Sequence, residues 1–229
     1  MCGRFNLRLS PGELQEFFSL FRVPEFPVRY NIAPTQEVVS IRHDDQSRRV
    51  AEFLKWGLVP QWAKDPSIGN RLLNARSESV AEKPAFRNAF RRRRCIVPAS
   101  GYYEWPETKS QVKQPWHFYR KTGEPLALAG LWERWMSPTG QTLETCSLLT
   151  TEPNPFVAHW HDRMPVLLSD DQIDAWLDPS LTDVSALQRF LVPCPDDWLA
   201  ADAVSTFVNS SRHEGPECLS PVAAERPLL

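Results

Sequence analysis

Several features by which large protein classes are recognised are missing from this sequence. Its 5 cysteines include no CxxC pair, so neither a disulfide framework nor a zinc ribbon is predicted. No Gly-rich turn leads from a strand into a helix, which argues against a doubly wound, dinucleotide-binding fold. No apolar run has transmembrane length, and the opening residues MCGRFNLRLSPGEL hold none long enough for a signal peptide.

Net charge is also nearly absent, because 26 Lys and Arg residues face 28 Asp and Glu residues for a formal charge of −2. This balance gives no overall attraction to nucleic acid, so any nucleic-acid site must be a local patch. Free thiols suit a reducing compartment. We predict a cytoplasmic protein with no membrane partner, or a nuclear one if the source has a nucleus.

Proline and tryptophan, in contrast, are abundant, with 21 and 9 residues, and 42% of the chain is hydrophobic. Frequent proline argues against a helical bundle and favours short strands joined by shaped loops. β-prone runs at 37–43 and 48–57 alternate with only a few helical patterns. The sequence therefore predicts one α+β domain over residues 1–229, with a mainly antiparallel, barrel-like sheet.

Four helical segments are predicted between these strands. Ser10 and Glu13 form a capping-box pattern ahead of apolar residues that recur at helical spacing, with Pro24 as the stop. The other helical segments are 77–90 with Pro84 as an interruption, a short one after the Ser169 cap, and 183–191. The Pro-rich tail, residues 215–229, is predicted to be loose.

Cys2 directly follows the initiator methionine, and loss of Met1 would make it the N-terminal residue. Its α-amine and thiol would then titrate near about 8 and about 8.5, so both have nucleophilic forms near neutral pH. One aldehyde can take both groups, because the amine forms a Schiff base and the thiol then closes a five-membered thiazolidine. The alternative is a small, buried and inert cysteine at the start of a strand.

The NARSE motif brings together polar residues that suit either a structural or a chemical role. Asn74 could cap a helix, with Glu78 exposed on its surface. Alternatively, Asn74 donates to a developing oxyanion while Arg76 meets a phosphate. The two interpretations are compatible with each other.

Glu104 in YYEW and His161 in HWHDRMP are the candidates for proton transfer. Glu104 is either an exposed strand carboxylate or a carboxyl in an apolar pocket, where a raised pKa would let it act as general acid and base. His159 and His161 could share one face of a strand, but no third ligand has convincing spacing. We therefore predict no metal site and a single acid–base histidine, His161.

A basic run and several tryptophans are candidates for contacts with nucleic acid. The run RRRRC (91–95) is either solvated surface or support for a phosphate backbone. Trp56, Trp62 and Trp105 are candidates for base stacking, although most tryptophans in so aromatic a chain belong to the core.

Seven motifs stand in a fixed order: MCGRF, RYNIAP, WGLVPQWA, NARSE, RRRRCIVPASGYYEW, LAGLWE and HDRMP. Together they resemble the SRAP family, the SOS response-associated peptidase-like proteins, also called abasic site processing proteins. The resemblance runs from residue 2 to about residue 209, which is nearly the whole chain.

The resemblance implies a single α+β domain with a β-barrel-like core and a DNA-damage function. Such a protein would bind single-stranded DNA at abasic sites, at stalled forks or single-strand–double-strand junctions, as a nucleoid-associated monomer without a cofactor. The Cys2 amine and thiol would capture the aldehyde of the opened deoxyribose as a covalent thiazolidine crosslink. Abasic-site lyase activity, reversal of the crosslink and an autopeptidase activity that removes Met1 are implied as well.

Individual residue roles follow from the same resemblance. Cys2 would be the nucleophile, Asn74 would orient the sugar or the N-terminus, Glu104 would shuttle protons, and His161 would serve the opened sugar and lyase-type chemistry. The positions implied for DNA contact are Arg4, Asn31, Pro34, Trp62, Arg76, Trp105, Thr150 and Arg163.

This chain departs from the family pattern at two positions. Trp62 is followed by Ala63, where some members have a second aromatic residue, and Pro84 stands where a related sequence can have a basic residue. Both departures concern the contacts of a DNA wedge and leave the chemistry untouched.

Two other interpretations compete with the DNA-crosslinking hypothesis. An N-terminal-nucleophile peptidase would use Cys2 against a peptide bond, with Glu104 or His161 as base. A non-catalytic DNA-binding module would keep Cys2 only as a structural residue. Three arginines fall within the polar motifs, which favours DNA over a peptide as substrate: Arg4, Arg76 and Arg163.

Overall fold

The computed structural model describes residues 2–107 and 113–224. The strands in this part of the chain are β1 (Phe5–Leu7), β2 (Arg29–Ile32), β3 (Glu37–His43), β4 (Arg49–Trp56), β5 (Asn74–Arg76), β6 (Arg94–Ala99), β7 (Gly101–Glu104), β8 (Trp116–Arg120), β9 (Leu126–Met136), β10 (Thr142–Thr151), β11 (Met164–Pro165), β12 (Leu167–Leu168) and β13 (Leu199–Ala203). The helices are α1 (Pro11–Phe17), α2 (Arg87–Arg92), α3 (Ile173–Leu177) and α4 (Val184–Gln188). Single 3-10 turns lie at Pro66–Arg71, Val157–His159, Asp170–Gln172, Thr206–Asn209 and Pro216–Leu219.

Five strands close into a barrel in the order β10–β4–β3–β6–β9, because β9 also pairs with β10. All neighbours in this ring are antiparallel except β4 and β10, which run parallel. The short strands β5 and β11 extend the sheet from β10, and β12 extends it from β9. The predicted α+β fold with a mainly antiparallel, barrel-like core is confirmed.

A second, antiparallel sheet has the order β13–β8–β7–β1–β2 and carries the N-terminus. Phe5 pairs with Tyr102, and the Tyr103 amide donates to the Arg4 carbonyl at 2.9 Å. Continued by two residues, this antiparallel register brings the start of the chain beside Glu104 at the end of β7. Phe5 also packs on Trp56 of the barrel, with 5.3 Å between ring centroids. The N-terminal strand is therefore fixed between two sheet neighbours and the barrel.

The four arginines of the basic run RRRRC (91–95) differ in exposure, from solvent at its start to the core at its end. Arg91 and Arg92 are exposed, whereas Arg93 pairs with the buried Glu133 at 2.8 Å. Arg94 is buried and donates to four backbone carbonyls at the ends of α2 and α3, those of Phe90, Arg91, Trp176 and Asp178. A guanidinium suits this position because the last carbonyls of a helix carry partial negative charge. Arg93 and Arg94 thus connect the helices to the barrel. The interpretation of the run as solvated surface is therefore wrong for these two residues.

Other predicted elements agree with the structure at their starts more often than at their ends. The Ser10 capping box is present, but α1 ends at Phe17, well before Pro24. The predicted helix over 77–90 is helical only from Arg87, and turns precede it. Within the described residues no helix is long and apolar enough to span a membrane.

The tail differs most from its prediction. The segment 215–222 is attached to the fold at two points, because Pro221 forms an isolated β-bridge with Val204 and the Cys218 side chain is fully buried, while most of its other residues are exposed. Residues 225–229 lie outside the described part of the chain.

A neutral histidine lies at the centre of the second sheet. His117 on β8 is 5% exposed, and its Nε2 accepts a hydrogen bond from Asn6 Nδ2 at 2.8 Å. A Cβ at Gly101 would lie 2.1 Å from this Nε2, so only glycine fits opposite the ring. Burial lowers the pKa of His117 to about 3, so the ring stays unprotonated in the folded protein at neutral and mildly acidic pH.

We expect His117→Gln to reduce the sensitivity of the fold to acid. In the unfolded chain His117 binds a proton below its ordinary pKa near 6.5, whereas in the folded protein it stays unprotonated down to about pH 3. The free energy of unfolding therefore falls as pH drops from 6.5 towards 3. Between about pH 7.5 and about pH 5 the wild type should lose roughly 2 kcal/mol more than the variant. Urea unfolding at both pH values measures this difference. Equal losses would show that His117 titrates normally in the folded state.

Candidate active site

Cys2 is buried at the junction of the two sheets. Its side chain is fully shielded from solvent, and its carbonyl accepts a hydrogen bond from Asn74 Nδ2 at 3.1 Å. Asn74 is the first residue of β5, which pairs in parallel with β10 and thereby fixes the amide in place. Within the described residues nothing donates to the buried Asn74 Oδ1. The Asn74 amide therefore holds Cys2 through one end and presents a hydrogen-bond acceptor with the other.

The Cys2 thiol is protonated at neutral pH. Burial raises its pKa above the ordinary value, and the negative charge of Glu104 raises it further. The positive charge of the N-terminus and a hydrogen bond from the Arg4 backbone amide oppose these two effects without overcoming them. The pKa of Cys2 is therefore raised overall, whereas the pKa of a thiolate nucleophile is lowered.

Glu104 is a buried carboxyl at the end of β7. Only 3% of the residue is exposed, and burial raises its pKa to about 7. Both protonation states are therefore populated near neutral pH, which suits a group that must donate and accept protons in one reaction. Of the two alternatives for Glu104, the structure contains the buried carboxyl.

His161 lies across from Glu104, with 3.9 Å between His161 Nε2 and Glu104 Oε2. Its Nδ1 accepts from the Arg163 backbone amide at 2.9 Å and lies 2.8 Å from Asp162 Oδ1. Partial burial lowers the pKa of His161, so the ring is mostly neutral at pH 7. In the neutral tautomer that accepts from Arg163, the Nε2 proton faces Glu104.

All four predicted catalytic residues, Cys2, Asn74, Glu104 and His161, thus meet at one place. A nucleophile, an amide that orients it, a carboxyl near its titration point and a neutral imidazole are the components of acid–base-assisted addition to a carbonyl group. Within residues 2–107 and 113–224 no group of three or more His, Cys, Asp or Glu side chains is placed to hold a metal.

Arg4 and Asn31 are engaged inside the protein. Arg4 Nη1 donates to Asn31 Oδ1 at 2.7 Å and to the Val208 carbonyl at 2.9 Å. The fully buried Asn31 amide donates to the carbonyls of Ser210 and His213 at 2.9 and 2.7 Å. These residues hold residues 205–222, which we call the C-terminal strap, across the N-terminal strand. The Asn31 side chain supports the strap and does not face solvent.

Three other positions implied for DNA contact are Trp105, Pro34 and Trp62, of which Trp105 lines the cavity beside His161. Trp105 donates from Nε1 to Asn209 Oδ1 of the strap at 2.7 Å. Pro34 precedes Thr35, whose φ of 71° is strained for a β-branched residue and is held by a 2.9 Å bond from its amide to the Trp56 carbonyl. Trp62 is 58% exposed and contacts the Pro84 carbonyl at 3.3 Å, so the two departures from the family pattern concern one local contact.

Arg76, Thr150 and Arg163 form a basic rim on the β10 side. Arg76 at the end of β5 is exposed and stands opposite Thr150 of β10. Arg163 is mostly buried and forms a two-point ion pair with Glu78, while its Nη2 donates to the Thr150 carbonyl at 2.8 Å. Thr150 is fully buried and contributes its backbone to this rim.

A cavity of about 630 Å³ opens beside His161. Trp105, His159 and Asp162 contribute to its wall, and Lys113 provides a cation. This cavity is large enough to hold several atoms of a sugar–phosphate chain beside the His161 ring.

Two functional contacts were not predicted from the sequence. Asn209 holds Trp105, and Glu78 pairs with Arg163. The motif VSTFVN contains Asn209, but nothing in the sequence says that it returns to a residue about a hundred positions earlier. Glu78 is exposed as predicted, but nothing in the local sequence indicates its pair with Arg163, which lies 85 positions away.

The family model and the curated relatives that match this chain agree with each other. Over residues 1–211 the chain matches the profile of the family described as SOS response associated peptidase (SRAP). It is 41% identical over 222 residues to abasic site processing protein YoaM of Bacillus subtilis, covering 96% of this chain and 97% of that protein. It is 30% identical over 267 residues to abasic site processing protein HMCES of Xenopus tropicalis, covering 97% of this chain and 78% of that protein.

Solved structures agree with the fold. A crystal structure of a Bacteroides thetaiotaomicron protein superposes with a TM-score of 0.86 at 24% identity, covering 97% of this chain and all of that one. A Bordetella bronchiseptica protein superposes with a TM-score of 0.77 at 28% identity, covering 89% of this chain and all of that one.

Proposed function

The chain belongs to the SOS response-associated peptidase (SRAP) family, and from this premise we propose that it processes abasic sites in DNA. The observation that carries the proposal is the convergence of Cys2 and Asn74 with Glu104 and His161 beneath a rim that contains Arg76 and Arg163. We further propose that Cys2, once Met1 is removed, captures the abasic-site aldehyde covalently. The substrate is a single strand, because the reactive group is buried and an intact duplex would keep the sugar away from it.

Binding relies on charge at the rim rather than on the net charge of −2. Arg76 is exposed at the end of β5, and Lys113 lies at the cavity. Such cations fix the position of phosphates without reading sequence. Trp105 and Trp62 offer aromatic faces to the flanking bases.

The first chemical step is attack by the Cys2 amine on the aldehyde. The amine adds to the carbonyl carbon, and the carbinolamine that results loses its hydroxyl as water to give an imine. Glu104 in its acid form protonates the departing hydroxyl, and in its base form it accepts the proton that the amine loses. Asn74 Oδ1 is placed to accept a hydrogen bond from the amine or from the hydroxyl of the intermediate.

The second step closes the thiazolidine ring. The sulfur of Cys2 adds to the imine carbon while the thiol proton passes to the imine nitrogen, so the net products are a thiazolidine and one water molecule. The thiol need not ionise beforehand, which suits a group whose pKa is raised by burial. On reversal the nitrogen returns its proton to sulfur as the C–S bond breaks, and water adds to the imine. Glu104 then supplies the proton to nitrogen as the carbinolamine releases the amine.

Lyase activity competes with ring closure for the imine. An imine makes the neighbouring C2′ proton acidic, and removal of that proton expels the 3′ phosphate from C3′. Glu104 in its base form accepts the C2′ proton, and the Nε2 proton of the neutral His161 ring, which faces Glu104, is available to orient the opened sugar for this elimination. Because the Cys2 thiol consumes the imine, shielding of the abasic site exceeds strand cleavage.

A peptidase acting on other proteins fits the site less well. Cysteine peptidases attack with a thiolate, whose pKa is lowered by a neighbouring cation, whereas burial and Glu104 raise the pKa of Cys2. Removal of its own Met1 is a different case, because that reaction requires no separate peptide substrate to bind.

The test combines Met1-free protein, verified by intact mass, with a single-stranded oligonucleotide that contains one abasic site. We expect an adduct that survives denaturing electrophoresis without a reductant and whose mass equals protein plus DNA minus one water. Cys2→Ala should give no such adduct. Absence of an adduct from correctly processed wild type would reject the proposal and direct attention to peptide substrates.

A further inference from the structure

The pair formed by Glu78 and Arg163 is a contact on the basic rim that the proposed reaction does not use. Both carboxylate oxygens of Glu78 face the Arg163 guanidinium, with Nη2 to Oε2 at 3.0 Å and a shorter contact from Nη1 to Oε1. The same Nη2 donates to the Thr150 carbonyl at 2.8 Å. A two-point pairing of this kind is also the geometry in which arginine binds a phosphate.

The two partners differ sharply in their exposure. The Arg163 side chain is 11% exposed, whereas the Glu78 side chain is 55% exposed and lies on the outer side of the pair. Arg163 Nε is buried and has no hydrogen-bond partner among the described residues. An anion approaching from solvent therefore meets Glu78 before it can reach the guanidinium.

The backbone of Glu78 is fixed while its side chain is not enclosed. The Ser77 amide donates to the Thr150 carbonyl at 2.8 Å, and the Ser79 amide donates to the Arg76 carbonyl at 3.1 Å. The hydrogen bonds from Arg163 hold the pKa of Glu78 below its ordinary value, and the positive charge of Arg76 contributes in the same direction. Glu78 is thus negatively charged at neutral pH and stands between two of the rim arginines.

We propose that Glu78 occupies in the free protein the place on Arg163 that a backbone phosphate of the DNA takes in the complex. The inference rests on the proposed function. The carboxylate keeps the guanidinium plane oriented and its charge compensated until DNA arrives, and the phosphate then replaces it in the same two-point contact. Each binding event must break the Glu78–Arg163 pair, so Glu78 lowers affinity for every DNA strand and acts as a restraint on unproductive binding.

The experiment measures binding of a single-stranded oligonucleotide that carries a tetrahydrofuran abasic analogue, which cannot react with Cys2. We expect Glu78→Gln to tighten binding roughly three- to tenfold, because the competing anion is lost and the free Arg163 is left poorly compensated. The slope of log affinity against log salt should become steeper by up to about 0.7, the value for one neutralised phosphate on a single strand, because in the wild-type complex the displaced Glu78 carboxylate offsets the charge that Arg163 brings to the phosphate.

Glu82→Gln is the matched control, because Glu82 is an exposed residue four positions away and its change removes the same charge. It should alter affinity and slope less than Glu78→Gln does. The gain from Glu78→Gln should disappear in an Arg163→Met background, whereas a general electrostatic effect would persist there. Thermal unfolding of each variant establishes that the folded protein is being compared.

The outcomes separate the two proposals. Wild type that neither binds the analogue nor crosslinks abasic DNA would reject the proposed function and this inference with it. Wild type that binds, with Glu78→Gln equal or weaker in affinity, would reject the role of Glu78 alone and make it a fixed positioning residue for Arg163.

Discussion

Replacement of Glu104 by Gln should slow crosslinking by roughly 10²- to 10⁴-fold, the usual contribution of a general acid–base group. The amide of the variant keeps the shape and a hydrogen-bonding oxygen, but it cannot exchange protons. The burial that raises the pKa of Glu104 to about 7 makes the wild-type carboxyl both donor and acceptor near neutral pH. The appropriate measurement is the single-turnover rate at saturating abasic DNA, so that binding does not enter.

The pH dependence of that rate provides a second, independent readout. In the wild type the rate should rise with pH as the Cys2 amine loses its proton near about 8, while loss of the Glu104 proton above about 7 opposes the rise. The profile should therefore be bell-shaped. Glu104→Gln should retain only the rising limb. If Glu104→Gln kept the wild-type rate and a bell-shaped pH profile, another group would have to carry the acid–base role.

Cys2→Ser should abolish the stable adduct while preserving the first chemical step. The variant keeps an N-terminal amine, so it still forms an imine, but its hydroxyl is a far poorer nucleophile than a thiol for closing the ring. We expect no crosslink on a denaturing gel without reductant and a clear one when borohydride is present, because hydride reduces the imine to a stable secondary amine.

Protein that retains Met1 is the control for this prediction. It lacks an amine at Cys2 and should give no trapped product at that residue with or without borohydride, as peptide mapping can establish. A borohydride-independent adduct from Cys2→Ser would mean that the thiol does not form the final bond.

Local sequence patterns predicted the elements that depend on neighbouring residues. The alternating, β-branched run EVVSIRH forms β3 over the predicted 37–43, and the Ser10–Glu13 capping box starts α1. The apolar pattern of α1 continues to Phe21, yet the Phe21 amide bonds to the Arg49 carbonyl and Ser19 takes a left-handed φ of 51°. A contact with a distant strand thus overrides helical periodicity.

In the site, too, local sequence identified the residues, whereas contacts between distant parts of the chain determine their arrangement. The residue types and motif order singled out Cys2, Glu104 and His161, and strand pairing brings them together. Asn74 was considered as a helix cap but forms a strand, because parallel pairing with β10 supplies hydrogen bonds that local sequence cannot foresee. The internal roles of Arg4 and Asn31 depend on partners about 180 to 200 positions away, for which the sequence carries no local signal.

The C-terminal strap has a consequence for the timing of biosynthesis. Strand β1 acquires its β7 neighbour only after about a hundred further residues have been translated, and the carbonyls that hold Arg4 and Asn31 belong to residues 208–213. A nascent chain therefore carries Cys2 without the surroundings that organise it until residues 208–213 have been translated. A truncated product that ends before the strap lacks the last supports of the reactive centre.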